Sequence, residues 1–83
     1  SENIYGITVH NGQDITIKDN TFYYSLSENE TTAGVSIELN GVINVEISGN
    51  KYCDANGATV DLPIDRIQVQ YNKNVHDGEG NAL

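Results

Sequence analysis

The chain has one cysteine, one proline, no methionine and no tryptophan among its 83 residues, and only four lysines and arginines. A single thiol, Cys53, leaves no partner for an internal disulfide and excludes an all-cysteine zinc site. Four basic residues against twelve acidic ones, a formal net charge of −8, provide no basic footprint for phosphates. Neither nucleic acid nor an anionic membrane surface is therefore expected as a partner. No run approaches the roughly 18 apolar residues that a membrane span takes. No basic start leads into an apolar stretch, so no signal peptide is expected. Because methionine is missing even from position 1, the chain is expected to be part of a longer product. At this length one small domain is the ceiling, burying roughly 60 % of its unfolded surface, and a core without disulfide or metal is marginal.

What is present is dominated by strand formers and turn formers. Ile and Val number nine and seven against four Leu, with six Thr and five Tyr. That β-branched and aromatic bias favours pleated strands. Asn is the commonest residue at eleven copies, accompanied by eight Gly. Both tolerate positive φ, so turns at short intervals follow. No stretch keeps apolar residues at i, i+3, i+4 and i+7 over three helical turns, because Gly and Asn interrupt each attempt. The chain reads as all-β.

Short alternating runs recur with one continuation. Ile15-Thr16-Ile17 leads to Asn20, Val45-Glu46-Ile47 to Asn50, and Ile67-Gln68-Val69 to Asn72. Upstream of each stands another run: Ile7-Thr8-Val9, Val35-Ser36-Ile37, and Ala58 to Leu62. The unit is strand, turn, strand, Asn turn, connection. The polar stretch 25–33, SLSENETTA, reads as a loop inserted in the first connection. Such repeats announce a β-solenoid. One coil cannot bury its own Ile/Val stripe, whereas stacked coils place like over like at the strand spacing of about 4.8 Å. Asn20, Asn50 and Asn72 then fall at equivalent turns, where side-chain amides bond up and down as a ladder. An antiparallel sandwich is the competing arrangement, but evenly spaced two-residue hairpin loops are not found. The expectation is a single solenoid segment over 1–83, about three coils, with a flexible tail at about 77–83.

The segments GITVHNGQDITIKDNTF (6–22) and GVSIELNGVINVEISGNKY (34–52) resemble coils of the right-handed parallel β-helix superfamily, the pectate-lyase-like fold. The resemblance covers about residues 4 to 75. It implies the scaffold shared by pectate lyases, polygalacturonases, alginate-modifying enzymes and bacteriophage tailspikes, and by itself does not select among their activities. The paired aspartates, Asn-Thr-Asp strand and Gly-His-Gly of polygalacturonases do not occur, so no catalytic role is carried over. The leading expectation is a carbohydrate-contacting β-helix from a phage tailspike or similar appendage, involved in host-surface polysaccharide recognition. Its setting would be extracellular or on the virion surface. As the resemblance implies, it would be a homotrimer, or else packed on the rest of a parent β-helix. The alternatives are a fragment of a secreted polysaccharide lyase, hydrolase or epimerase, and a purely structural stalk.

On a strand, the residues between inward Ile and Val face outward. The expected outward columns are Thr16, Glu46 and Gln68, flanked by Lys18, Ser48 and Gln70, and Thr8, Ser36 and Asp61. Their hydroxyl, amide and carboxyl groups suit hydrogen bonding to a polysaccharide, with Tyr24 offering a ring to stack on sugar. The plainer account is a solvated outer face. His10 lies beside Glu38 of the adjacent coil, a pairing from which a general base can be built. More often such a pair is an exposed contact worth little. Asp54, Asp61 and Asp65 gather around one long turn, but match no defined calcium loop. No cofactor is expected, Ca²⁺ being the ion these three would hold if they held any. Asn29-Glu30-Thr31 forms a glycosylation triplet, frequent by chance in an Asn-rich chain.

Overall fold

The computed structural model describes residues 6–24 and 35–83. These form strands and one short 3-10 turn, so the chain is all-β. No helix among the described residues is long and apolar enough to cross a membrane. Two long strands, β1 (Ile7–Lys18) and β3 (Ile37–Ser48), run parallel, from Ile7 against Ile37 to Lys18 against Ser48. On the other edge of β3, β6 (Ile67–Gln70) pairs with its first half and β7 (Lys73–His76) with its second, again parallel. A smaller sheet joins β2 (Thr21–Tyr23) in parallel to β4 (Lys51–Cys53), and β4 antiparallel to β5 (Thr59–Asp61). Side chains that meet across the parallel layers, such as Asn20 and Asn50, or Asp14 and Asn44, are thirty residues apart.

The long strands turn corners, and the same corners recur in each layer. φ is 62° at Asn11 and 57° at Asp14 in β1, and 70° at Gly41 and 57° at Asn44 in β3. Between β6 and β7, Tyr71 is at 50°, and Asn74, within β7, is at 58°. Asn and Asp enter this left-handed region more readily than other residues with a Cβ. At Gly41 a Cβ would also stand 2.5 Å from Oδ1 of Asn11 in the layer beside it. Position 41 thus requires glycine on both counts. The strands then end at Asp19 and Gly49, with φ of 57° and 66°, just before Asn20 and Asn50.

Between the corners, alternation drives one row of side chains inward. Ile37, Leu39, Val42 and Val45 are fully buried, all of them on the middle strand β3. Ile17, Ile47 and Val75 are nearly so, and Ile7, Val9, Ile15, Ile67 and Val69 pack against them from the outer layers. The sequence reading turns Ile7, Val9, Ile15, Ile17, Ile37, Val45, Ile47, Ile67 and Val69 inward, as found. It also turns Val35 inward and Ser36 outward, whereas Ser36 is buried and Val35 only half-buried. The gradient from middle to outside follows from stacking, since only a layer with neighbours on both sides is covered on both sides.

Three expectations need correction. Ile67-Gln68-Val69 does not stack on Val45-Glu46-Ile47: Ile67 lies against Ile37, Gln68 against Glu38 and Val69 against Leu39. Ala58 to Leu62 does not open a third parallel layer. Thr59–Asp61 instead folds back on Lys51–Cys53 as the antiparallel arm of a hairpin, and Val60 is left exposed. The chain then passes through the 3-10 turn Ile64–Arg66 before β6 begins. In consequence Asn72 has no place above Asn50. The three-membered column is Asp14, Asn44 and Asn74. Asn74 donates from Nδ2 to Asn44 Oδ1 at 2.9 Å, and Asn44 to Asp14 Oδ1 at 2.7 Å. The expected insertion at 25–33, with its Asn29 triplet, lies outside the described residues.

The tail over 77–83, expected to be flexible, folds back as a turn. Asp77 Oδ1 accepts the backbone N–H groups of Glu79 at 2.8 Å and Asn81 at 2.9 Å. Ala82 bridges antiparallel to His76, and the Leu83 N–H donates to the Val75 carbonyl. The N–H groups of Asn81 and Glu79 hold the Asp77 carboxyl below its ordinary range. The turn therefore binds the ionised form. Its hydrogen bonds are complete above the ordinary carboxylate value of about 4, and are lost as pH falls through the lower value of the folded state. In an NMR titration the Glu79 and Asn81 amides are expected to move together at acid pH, with a midpoint below that ordinary value. A midpoint at the ordinary value would mean that this turn does not form in solution.

Candidate functional site

Period-two alternation that buries Ile15, Val45 and Val75 also sends Thr16, Glu46 and His76 outward. Thr16 lies against Glu46 and Glu46 against His76 in adjacent layers. Beside them the corner residues Asp14 and Asn44, turned by their positive φ, complete the rim of a trough of about 200 Å³. Two of the expected sugar contacts, Thr16 and Glu46, thus sit together. The third, Gln68, does not: it belongs to the column Thr8, Glu38, Gln68 on the first arm of the strand. His76 takes the position that the sequence reading assigned to Gln68. Ser36 and Asp61 likewise fall out of the column with Thr8. Ser36 is buried, and Asp61 lies on β5.

Hydrogen bonds hold the trough's side chains in place. Ser48 Oγ donates to Glu46 Oε2 at 2.7 Å, which orients the carboxylate. His76 Nδ1 stands 2.9 Å from the Asp77 carbonyl oxygen. Donating there requires the proton on Nδ1, so Nε2 of the neutral ring is an acceptor. Asp14 receives the Asn44 amide. The floor thus offers a carboxylate, an imidazole, an amide and a hydroxyl, the mixed donors and acceptors that a sugar hydroxyl array requires.

Tyr71 was not read as a site residue, yet it has two unusual properties. It is 84 % exposed, and its φ of 50° lies in the left-handed region that bulky residues avoid. Gly41 occupies the equivalent corner of the next layer, and the Asn11 side chain lies against it from the layer beyond. A large exposed ring in a strained position is the kind of outlier found at binding surfaces. Tyr24, expected to stack on sugar, is half-buried, and its backbone N–H donates to the Cys53 carbonyl.

His10 and Glu38 do meet, Nε2 to Oε1 at 3.0 Å, with the histidine side chain 61 % exposed and the glutamate 22 %. Asn40 and Gln70 continue the polar row beside them, joined through Nδ2 and Oε1 at 3.4 Å. Neither His10 nor Glu38 lines the trough.

The three aspartates do not share a site. Asp54 Oδ1 accepts the N–H groups of Asn56 and Ala58 and so shapes the hairpin turn between β4 and β5. Asp61 is paired with Lys51, whose hydrogen bond and charge hold its carboxyl below the ordinary range. Asp65 lies on the exposed 3-10 turn. Among the described residues no three His, Cys, Asp or Glu side chains gather as a metal site.

At the end of the core beyond β3 lies a larger cavity of about 550 Å³, open to solvent. Its apolar lining includes Ile47, Leu62, Ile64, Ile67 and Leu83, with Asp61, Asp77 and Glu79 among its polar residues. No protein-family model, curated protein or solved structure matches the chain.

Proposed function

We propose that the chain is a right-handed parallel β-helix of about three coils that contacts carbohydrate through the trough formed by Asp14, Thr16, Asn44, Glu46 and His76. Its setting in this reading is a phage tailspike or comparable appendage outside the cell, recognising a host-surface polysaccharide. The observation that carries the reading is the thirty-residue parallel register, which repeats the corners and stacks polar side chains into outward columns. Right-handedness follows from the strong bias of parallel crossover connections. Closely spaced hydroxyl, amide and carboxylate groups on rigid strands suit a polymer of sugars, and Tyr71 adds a ring to stack on one of them. The carboxylates of Asp14 and Glu46 repel uronic acids, so neutral or amino sugars are favoured.

Titration with neutral, basic and acidic oligosaccharides, followed by NMR, tests this. Perturbed resonances are expected at Thr16, Asn44, Glu46, Tyr71 and His76 with neutral or amino sugars. Glu46→Gln is expected to weaken binding roughly tenfold, the scale of one charge-assisted hydrogen bond. Saturating sugar that perturbs none of these residues would end the reading.

A second reading, polysaccharide cleavage, has the His10–Glu38 contact behind it. It requires release of short products from a polymer, lost in His10→Ala.

A further inference from the structure

β1 and β2 are the outermost strands of their sheets, and among the described residues no strand pairs with their second edges. The opposite end of the stack differs. There β5 covers the edge of β4, Ala82 bridges to His76, and Leu83 bonds to Val75. Asp61, Asp77 and Glu79 add negative charge around the cavity at that end. β6, at that end of the larger sheet, has no strand on its second edge among the described residues either. Of the two terminal strands of that sheet, β1 offers an edge of 12 residues and β6 one of 4 among the described residues.

The sequence of β1 supplies a partner for itself. Read toward Gly12 from each end, it runs Ile7-Thr8-Val9-His10 and Ile17-Thr16-Ile15-Asp14. Antiparallel pairing about a two-fold axis near Gly12 sets Ile7 against Ile17, Thr8 against Thr16 and Val9 against Ile15 of the second copy, each twice. It also sets imidazole His10 against carboxylate Asp14, opposite in charge when the ring is protonated. A slip of one residue would place Ile7 against the outward Lys18, so the register is specified. In this arrangement Ile7, Val9 and Ile15, only partly covered in one copy, and the buried Ile17 continue the inward rows of the second copy. β3 carries the same symmetric apolar pattern, but with Glu38 and Glu46 where β1 has Thr8 and Thr16. That strand would oppose like charges and could not pair with itself this way.

We propose that a second copy of this chain covers the β1 edge, giving a head-to-head dimer through antiparallel β1–β1 pairing. The contact is isologous, so this edge joins copies in pairs. A homotrimer of the kind that the β-helix resemblance implies packs coils side by side and leaves this edge uncovered. The proposal rests on strand pairing and not on any carbohydrate site.

Sedimentation of the full 83-residue chain is expected to show a dimer at micromolar concentration. The variant Thr8→Lys/Thr16→Lys places lysine against lysine twice across the two-fold, while within each chain the new lysines face Glu38 and Glu46. It is expected to keep the circular dichroism of the parent and to dimerise at least about tenfold more weakly, since like charges directly opposite repel. A second measurement reads the register in a Cys53→Ser background. Thr8→Cys mixed with Thr16→Cys is expected to form cross-linked dimers faster than either chain alone. A parent chain that is monomeric, trimeric or open-ended in sedimentation would overturn the proposal. So would a folded lysine variant that dimerises as tightly as the parent, or cysteine variants that cross-link no faster mixed than alone.

Discussion

A chain carrying Val45→Asp is expected to show no cooperative unfolding transition, melting instead as an unfolded polymer. Val45 is completely buried on the middle strand, with Ile15 on one side and Val75 on the other. An ionised carboxylate there has no cation within the core to pair with, and its burial costs several kcal/mol. A domain of this size has a total stability of about 4 to 12 kcal/mol, so one such substitution consumes most or all of it. Ile43→Asp, two residues earlier, is the matched control. Ile43 is 47 % exposed and stands against Lys73 in the ladder, so the new carboxylate gains a neighbour of opposite charge. That variant is expected to melt within about 1 kcal/mol of the parent. Equal melting of both variants would show that the inward row has been assigned to the wrong face.

Asn50 is the second position at which one substitution has a large effect. It is only 5 % exposed, and its side chain makes three hydrogen bonds into the first layer. Oδ1 accepts the Asn20 backbone N–H at 3.0 Å and Asn20 Nδ2 at 3.2 Å, and Nδ2 donates to the Ile17 carbonyl at 3.1 Å. Asn50→Ala strands a donor and an acceptor inside the turn, at about 1–3 kcal/mol for each buried group left unmatched. Asn50→Asp keeps the acceptor but loses the donor to Ile17, and places a charge against a carbonyl oxygen. At neutral pH it is expected to be the less stable of the two. Burial raises the carboxyl's folded value, so this variant regains stability as pH falls and the protonated acid can donate to Ile17. Melting curves of both variants between neutral and mildly acid pH decide the matter. An Asp variant that is stable at neutral pH and indifferent to acid would mean that the amide is not buried against Ile17.

The inward row, the Asn20–Asn50 pair and the His10–Glu38 contact were legible because each depends on local alternation or on a spacing of about thirty residues between like segments. The layer formed by β6 and β7 was not. A period of two sends Ile67 and Val69 inward whether they stack on Ile37 and Leu39 or on Val45 and Ile47, so apolar pattern alone cannot choose. The Asn-turn match chose wrongly, because Asn72 follows Val69 much as Asn50 follows Ile47. The signal that does choose is Asn56-Gly57, a hairpin dipeptide between two short apolar runs. It marks Lys51 to Asp61 as a local hairpin, which places the next parallel strand at Ile67, a full thirty residues beyond Ile37. With that register His76 falls thirty residues after Glu46, and the trough could have been assembled from sequence. Tyr71 could not, because its exposure and its left-handed backbone are imposed by the corner it shares with Asn11 and Gly41.

The β4–β5 hairpin has a further consequence, for the order in which the chain folds. Among the described strands it is the one pairing between close neighbours, with Lys51 and Asp61 ten residues apart. The parallel ladders must instead close loops of thirty residues. Tripling the loop length adds about 1 kcal/mol of closure entropy to each first contact, and topologies dominated by distant contacts fold in milliseconds to seconds. The hairpin forms within microseconds, before any layer can stack, and presents the edge of β4 on which β2 then aligns. The element that closes one end of the finished stack is thus the one from which stacking starts.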